Sequence, residues 1–537
     1  MRKLYISTAL WLAAAGIAGA QNLNPQVQVT NDYKTNMGEA RKQAVELEIP
    51  DSLTSFKTRV DYSVFATDYK GAYEFSPYQI RMVPDMKRRE ASTLFVRAGA
   101  GFAFHPVLQA VYTPFGEGDH RLNVVQDFRG YAGDYTSLGD ASWYKGHDFA
   151  ENFGVTGSWK ADKFLLDYGV GYKGIFTKDY TGTGSFNRIE AGAGIRSSET
   201  AALQYDAKLD LGFGRDTFEA VDPLYHTSAA LEGSVMPKLE LPFDVVIDAR
   251  MQLDIYRSSK SSVVDFGNLF TGTLSPQALI DLDPVKLRAG ISLSPGKEGL
   301  EIFPNINASM DFAGQQLFAS FTGGQYALSY RDLKMADHWV NPYYMAEMSR
   351  SYEMINCKLG LRGAVLSHLQ YELDGGFAIR ESVPMHGLYY TSSDPGNERP
   401  ECSIVYADYN LWYVHALAAW KSEKLDVEGA LNVNHTNGPL RKDWLALPLF
   451  SYNVKAVYNW GRRIFAGLRI NAATASESED FTIDGFFDLG LYGEYKLNGL
   501  LSLWGQASNL LNHKIATAPT HIQSGLYLSA GLCLNLR

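Results

Sequence analysis

The sequence predicts an all-β fold, a transmembrane antiparallel β-barrel of about 22 strands with a short N-terminal extension. Three observations predict it. An export signal opens the chain, long segments alternate apolar and polar residues with period two, and short turns alternate with longer polar connections.

The signal comes first. Arg2 and Lys3 give a positive start, Leu4 to Ile17 supply a short apolar stretch, and Ala18-Gly19-Ala20 forms a small-residue cleavage site. Cleavage between Ala20 and Gln21 is expected, and position 21 is not the cysteine of a lipoprotein. No later segment approaches the roughly 20 consecutive apolar residues of a membrane helix. A secreted globular protein and a β-barrel both fit that pattern. The 49 glycines, 32 tyrosines and 28 phenylalanines, with only 20% charged residues, lean toward the barrel, which needs aromatic girdles and small residues.

Alternation then separates the two. Phe243, Val245, Ile247, Ala249, Met251, Leu253 and Ile255 oppose Asp244, Asp248, Arg250, Gln252 and Asp254, the signature of a strand wet on one face. Leu203, Tyr205, Ala207, Leu209, Leu211 and Phe213 likewise oppose Gln204, Asp206, Lys208 and Asp210. Similar segments start at Phe164 and Leu425, and the last sets Leu526, Leu528, Ala530, Leu532, Leu534 and Leu536 against Gln523, Tyr527, Ser529 and Asn535. These runs approach or exceed the roughly 9–11 residues that cross a bilayer when tilted, and outlast the roughly five or six of an ordinary globular strand.

The connections follow in order. Short turns fall at Ala161-Asp162, Arg196–Glu199, Asp283-Pro284, Ala313–Gln315, Leu366–His368, Ser422-Glu423, Gly461-Arg462 and Asn498-Gly499. Longer stretches at 134–148, 177–185, 214–223, 256–274, 330–352, 381–404, 436–447, 474–480 and 511–520 read as outer loops. The domain layout is therefore a signal at 1–20, an extension at 21–90 that is either a periplasmic arm or a lumen cap, and a barrel at 91–537. Both barrel ends are expected on the periplasmic side, the last strand closing on a first strand near Ser92–Phe104.

Several stretches carry a family resemblance. They are Val60-Asp61-Tyr62-Ser63-Val64-Phe65, Tyr73-Glu74-Phe75-Ser76-Pro77 and Leu94 to Gly101, with Phe303-Pro304, Tyr330-Arg331-Asp332-Leu333 and Asn341-Pro342-Tyr343. Together they resemble the short TonB-dependent-receptor-like outer-membrane barrels of Bacteroidetes. The resemblance implies a 22-strand receptor-type barrel. It also implies a large N-terminal plug domain and a TonB box, which the short stretch 21–90 does not match, so the chain is expected to lack a full plug.

Formal charge is −10, and removal of Arg2 and Lys3 takes it to −12, which argues against nucleic-acid binding. Neither a G-x-S-x-G elbow, an H-E-x-x-H helix nor a P-loop is present, and the chain reads as no enzyme and as needing no cofactor. The pairs Asp119–His120, His147–Asp148 and Asp337–His338 fall in predicted turns or loops, where solvation alone accounts for them. Cys357, Cys402 and Cys533 lack metal-ligand spacing, and a Cys357–Cys402 disulfide is open to an exported chain. Tyr168, Tyr172, Trp412, Tyr413, Trp420 and Trp504 read as interface girdle.

Asp206, Lys208, Asp210, Asp244, Asp248, Arg250 and Asp254 are expected to line the lumen, either as structural ladders or as a solute path. The expected setting is outer-membrane lipid, with other envelope proteins or a TonB-type energiser as partners. Two functions fit: uptake of a solute across the outer membrane, or a non-conducting structural or assembly subunit of an envelope complex. In either, so wide a cylinder needs something to fill it: residues 21–90, the stretches 330–352 and 381–404 folded inward, or a partner.

Overall fold

A computed structural model describes residues 93–536 apart from 259–266, 343–346, 392–398, 438–446 and one or two residues at several other connections. The expected signal, its Ala20–Gln21 junction and the extension 21–90 lie outside the described residues.

The alternating segments become consecutive hairpins. The first half of the wall is β1 (Leu94–Phe102), β2 (Val107–Phe115), β3 (His120–Ser137), β4 (Asp140–Lys160), β5 (Phe164–Lys178), β6 (Thr183–Ser197), β7 (Leu203–Phe218), β8 (Val221–Pro237), β9 (Asp244–Ser258), β10 (Asn268–Leu282) and β11 (Val285–Pro295). It continues as β12 (Leu300–Phe312), β13 (Gln315–Tyr326), β14 (Ser351–Val365), β15 (Leu369–Thr391), β16 (Arg399–Lys421), β17 (Leu425–Asn437), β18 (Phe450–Trp460) and β19 (Ile464–Ala473). Beyond a small hairpin of β20 (Ser476–Glu477) and β21 (Thr482–Ile483), the wall resumes with β22 (Phe486–Lys496) and β23 (Leu501–Ser508). Two short strands, β24 (Ile515–Ala518) and β25 (His521–Gln523), precede the last wall strand, β26 (Tyr527–Leu536).

Each wall strand pairs antiparallel with its neighbours, and β26 returns to β1 with Leu536 opposite Leu94 and Leu528 opposite Phe102. The result is a closed barrel of 22 strands, as the turn spacing and the family resemblance predict. Closure matters because a free strand edge in lipid would leave its backbone groups unsatisfied, at several kcal/mol each.

Side-chain alternation fixes which face meets lipid. Leu209, Leu211 and Phe213 of β7 and Ile247, Met251 and Leu253 of β9 form part of a continuous outward apolar belt. On a water-soluble protein a belt of that size would be an association hazard. Around a closed barrel it is the lipid contact, and the protein is an outer-membrane barrel.

Three outer stretches are not the loops the sequence suggests. Residues 134–148, 214–223 and 381–404 are mostly strand, because β3–β4, β7–β8 and β15–β16 keep pairing well beyond the bilayer. Both faces of these projections meet water or the packed mouth, so the period-two signal fades while the backbone ladder persists. His147 and Asp148 accordingly sit in β4 rather than in a loop. Tyr413 and Trp504 also depart from expectation: both point inward and are buried, whereas Tyr168, Trp412 and Trp420 face outward.

The disulfide is excluded by register. Cys357 is a free thiol opposite Phe377, which is opposite Trp412. Cys402 lies ten residues along β16 from Trp412, so at roughly 3.3 Å per residue the separation far exceeds the roughly 7 Å that a disulfide spans.

Candidate functional site

Of the connection between β13 and β14, residues 327–342 and 347–350 are seated in the outer mouth. Its centre is a helix, α1 (Tyr330–Ala336), short enough that its ends need help. Ser329 supplies it as N-cap, its hydroxyl accepting from the Asp332 amide at 3.3 Å. Asp332 accepts in return from the Ser329 amide at 3.0 Å, which completes a capping box. The Ser-Tyr-Arg-Asp string thus fixes the local turn, and the barrel interior fixes where it points.

Tyr330 has no exposed surface. Its amide donates to the Tyr256 hydroxyl of β9 at 3.1 Å, and its own hydroxyl donates to Asp216 of β7. The Lys334 ammonium lies 3.3 Å from the same Asp216 carboxylate and donates to the Val340 carbonyl at 2.7 Å. Arg331 reaches Glu190 of β6 at 3.0 Å and also holds Asp332. Glu190 is further paired with Lys173 of β5 at 3.0 Å and Arg188 at 2.8 Å.

Behind these groups runs a buried chain of wall residues. Arg188 can only donate, so its 3.0 Å contact makes His226 Nδ1 the acceptor, and Nε2 then donates to Asp254 at 2.9 Å. His226 stacks on Tyr256 with ring centroids 4.9 Å apart. The apolar part of the seat joins Tyr330, Leu333, Val340 and Met348 of the loop to Ile175, Phe186, Leu224, Tyr256, Leu269 and Ile404 of the wall.

The far side of the loop docks on other strands. His338 Nδ1 lies 2.7 Å from Asp148 of β4, and Asp337 lies 3.5 Å from His386 of β15. Trp339 stacks on His521 of β25 at 3.7 Å, beside Tyr135 of β3. Met348 accepts from the Tyr406 hydroxyl of β16, and Arg350 donates to the Pro295 carbonyl at the end of β11. One connection therefore touches wall strands from β3 round to β16, across the opening.

Electrostatics hold it there. Burial and Asp216 push the Tyr330 phenol well above its ordinary value, so it stays a donor. Burial would raise the Asp332 carboxyl, but Arg331 and Ser329 outweigh that and hold it below the usual carboxylate range. Burial would lower His338, yet Asp148 and Asp337 outweigh it and raise the imidazole above its usual value.

The lumen residues named from sequence lie on the face of β7 and β9 turned away from the apolar belt. Asp206 meets Arg196 at 2.7 Å, Lys208 meets Asp210 at 2.7 Å, and Arg250 meets Glu232 at 3.0 Å. Asp248 accepts from Gln277 at 2.6 Å and lies 3.6 Å from Arg288. Asp254 belongs to the buried chain beneath the loop, and Asp244 is exposed at the start of β9. Asp119 and His120 sit at the opposite rim, where His120 stacks on Trp159. Sequence reasoning placed 330–352 among segments able to fold inward. It missed Asp216, Glu190, His226 and Tyr256, whose partners are 74 to 141 positions away for the first contacts with the loop.

No family model matches the chain, and no curated protein matches it. Solved structures do match in fold. The ferric enterobactin receptor of Pseudomonas aeruginosa, in complex with enterobactin, aligns at a TM-score of 0.60 and 12% identity, covering 84% of this chain and 82% of that one. The ferric-catecholate import receptor Fiu of K12 E. coli aligns at 0.60 and 8%, covering 84% and 82%. A copper transporter, OprC, aligns at 0.57 and 13%, covering 84% and 81%. At these identities the likeness is one of fold alone.

Proposed function

We propose that the protein takes up a solute across the outer membrane through a lumen whose outer mouth is gated by residues 327–342. The observation that carries this reading is the seated loop itself. It is held through ion pairs and hydrogen bonds as well as an apolar cluster, and water can replace the polar part of that seat when the loop lifts. A permanent filler would be better served by an apolar core, since buried ion pairs are often no better than well-packed hydrophobic groups. A polar lining of Asp206, Lys208, Asp210, Asp244, Asp248 and Arg250 suits a wet path, with Asp254 buried beneath the loop, and as proposed path residues they would steer charged or polar solutes. The fold neighbours include an import receptor and a copper transporter, which supports uptake, and the family resemblance of the sequence supports a TonB-type energiser on the periplasmic side. A non-conducting scaffold would share the polar interior and the need for a filler, but would not need that filler to lift.

Planar-bilayer recording tests this. The full chain is expected to be silent or to open rarely. A variant in which residues 330–342 are replaced by a glycine-serine linker is expected to pass large, long-lived currents. A linker variant as silent as the parent, especially one that co-purifies with other envelope proteins, would overturn uptake in favour of the scaffold.

A further inference from the structure

We infer that the wall recess beneath α1 is a ligand site for a cationic aromatic solute, peptide-like in its spacing of groups, and that the loop occupies it as a built-in stand-in. The inference rests on the gating function proposed above and adds the class of molecule that would displace the loop.

The recess is defined by what it holds. Asp216 takes a phenol hydroxyl and an ammonium together, from Tyr330 and Lys334. Glu190 takes a guanidinium, from Arg331. The Tyr256 hydroxyl takes a backbone amide, from Tyr330. Ile175, Phe186, Leu224 and Leu269 form an apolar floor under the ring of Tyr330 and the side chain of Leu333. All of these donors come from one seven-residue segment, while the acceptors come from β6, β7 and β9, so donor and acceptor sets part cleanly when the loop lifts.

Charge makes the separation unequal. The wall beside the helix carries Glu190, Asp216 and Asp254 against Lys173 and Arg188, one net negative. The helix brings Arg331 and Lys334 against Asp332, one net positive. Lifting the loop therefore leaves Asp216 without its cation and Glu190 short of one. Water hydrates these carboxylates once the loop lifts, but the recess keeps its net negative charge, which draws in whatever restores a positive group. A solute offering an aromatic ring with a hydroxyl, a nearby ammonium or guanidinium and an amide donor meets each requirement. An acidic solute meets none. A ligand that binds only the vacated wall shifts the gate toward open by its full affinity for that state.

The test uses the full chain in lipid vesicles, with Cys357, Cys402 and Cys533 replaced by serine and a reporter cysteine at M335C, on the helix. The rate of labelling by a membrane-impermeant maleimide reports loop exposure. Probes are the peptide Tyr-Arg-Ala-Leu-Lys, blocked at both ends, and its charge-reversed counterpart Tyr-Glu-Ala-Leu-Glu. At saturation the cationic peptide is expected to speed labelling about tenfold and the acidic one to leave it unchanged. In the E190Q and D216N backgrounds basal labelling should rise and the response to the cationic peptide should disappear. Heat-modifiable migration checks that each variant is a folded barrel, and E190Q suffices if D216N fails to assemble. Equal responses to both peptides, or to neither, would overturn the ligand class. If Y330A still labels fast and conducts, the gate reading survives that failure. If Y330A neither labels faster nor conducts, both fall.

Discussion

Tyr330 carries more of the closure than any other side chain of the loop, because one ring fills the apolar seat while its hydroxyl serves Asp216. Tyr330→Phe keeps the ring and removes the donor, leaving Lys334 as the remaining partner of a buried carboxylate. The loop should lose about 1.5–3 kcal/mol of seating, the usual worth of a hydrogen bond to a charged group. Single-channel recording should then show more frequent openings, and an unchanged open probability would refute the assigned role. His338 adds a pH dependence of definite sign. Its imidazole is raised above the ordinary value by Asp148 and Asp337, against the pull of burial. The protonated ring therefore stabilises the seat fully below its unfolded value of about 6.5, and that contribution is lost as pH rises through the raised folded value. Loop exposure should increase on the alkaline side, and His338→Gln should flatten the profile. A profile that rises toward acid instead would contradict the ion pair.

At the scale of elements, the hairpins show how tightly turn chemistry sets register. Ala313 and Gly314 join β12 to β13 with φ of 47° and 76°, a two-residue turn that puts both residues in the left-handed region. Glycine accepts that conformation freely, and alanine pays for its Cβ. Ala313→Asn should stabilise the barrel by up to about 1 kcal/mol, since asparagine tolerates left-handed backbone, and a raised urea midpoint in vesicle refolding would show it. A lowered midpoint would mean that the alanine methyl has packing worth more than the strain. This turn was legible from the sequence because its signal is local. The extended ladders of β3–β4 and β15–β16 were not legible in the same way. Where both faces of a strand leave the bilayer, apolar alternation stops, but backbone pairing does not depend on it.

For the whole molecule, closure rests on one seam. Gly531 of β26 lies opposite Gly99 of β1 and Trp504 of β23, and the indole fills the space that a side chain at Gly99 would take. A Cβ on Gly531 would come within 2.0 Å of the Ala98 carbonyl oxygen and 2.6 Å of Gly99 Cα, both backbone atoms. The Arg97 guanidinium sits 4.2 Å over the same indole, so the seam is packed from inside as well. Gly531→Val is expected to cost on the order of 3 kcal/mol and to reduce the folded, heat-modifiable fraction, because the clash is with backbone that cannot step aside. A fully folded variant would show that the closing strands can slide apart without loss.

The sequence by itself determined the class, the approximate strand number, most lipid-facing residues and most inner-rim turns. Each of these is written in short-range chemistry: period two, turn residues, and the length needed to cross a bilayer. It also marked 330–352 as a segment able to fill the bore, on length and on the width of the cylinder alone. Only the tertiary structure decided that this segment is seated, and on what. Asp216 and Tyr330 stand 114 positions apart, and Asp148 and His338 stand 190 apart. In one dimension each is an ordinary acid, phenol or imidazole in a polar stretch. Closing the barrel brings them within hydrogen-bond reach in a space sheltered from water, where an unmatched charge is costly, and that enclosure turns scattered polar residues into a seat for the gate.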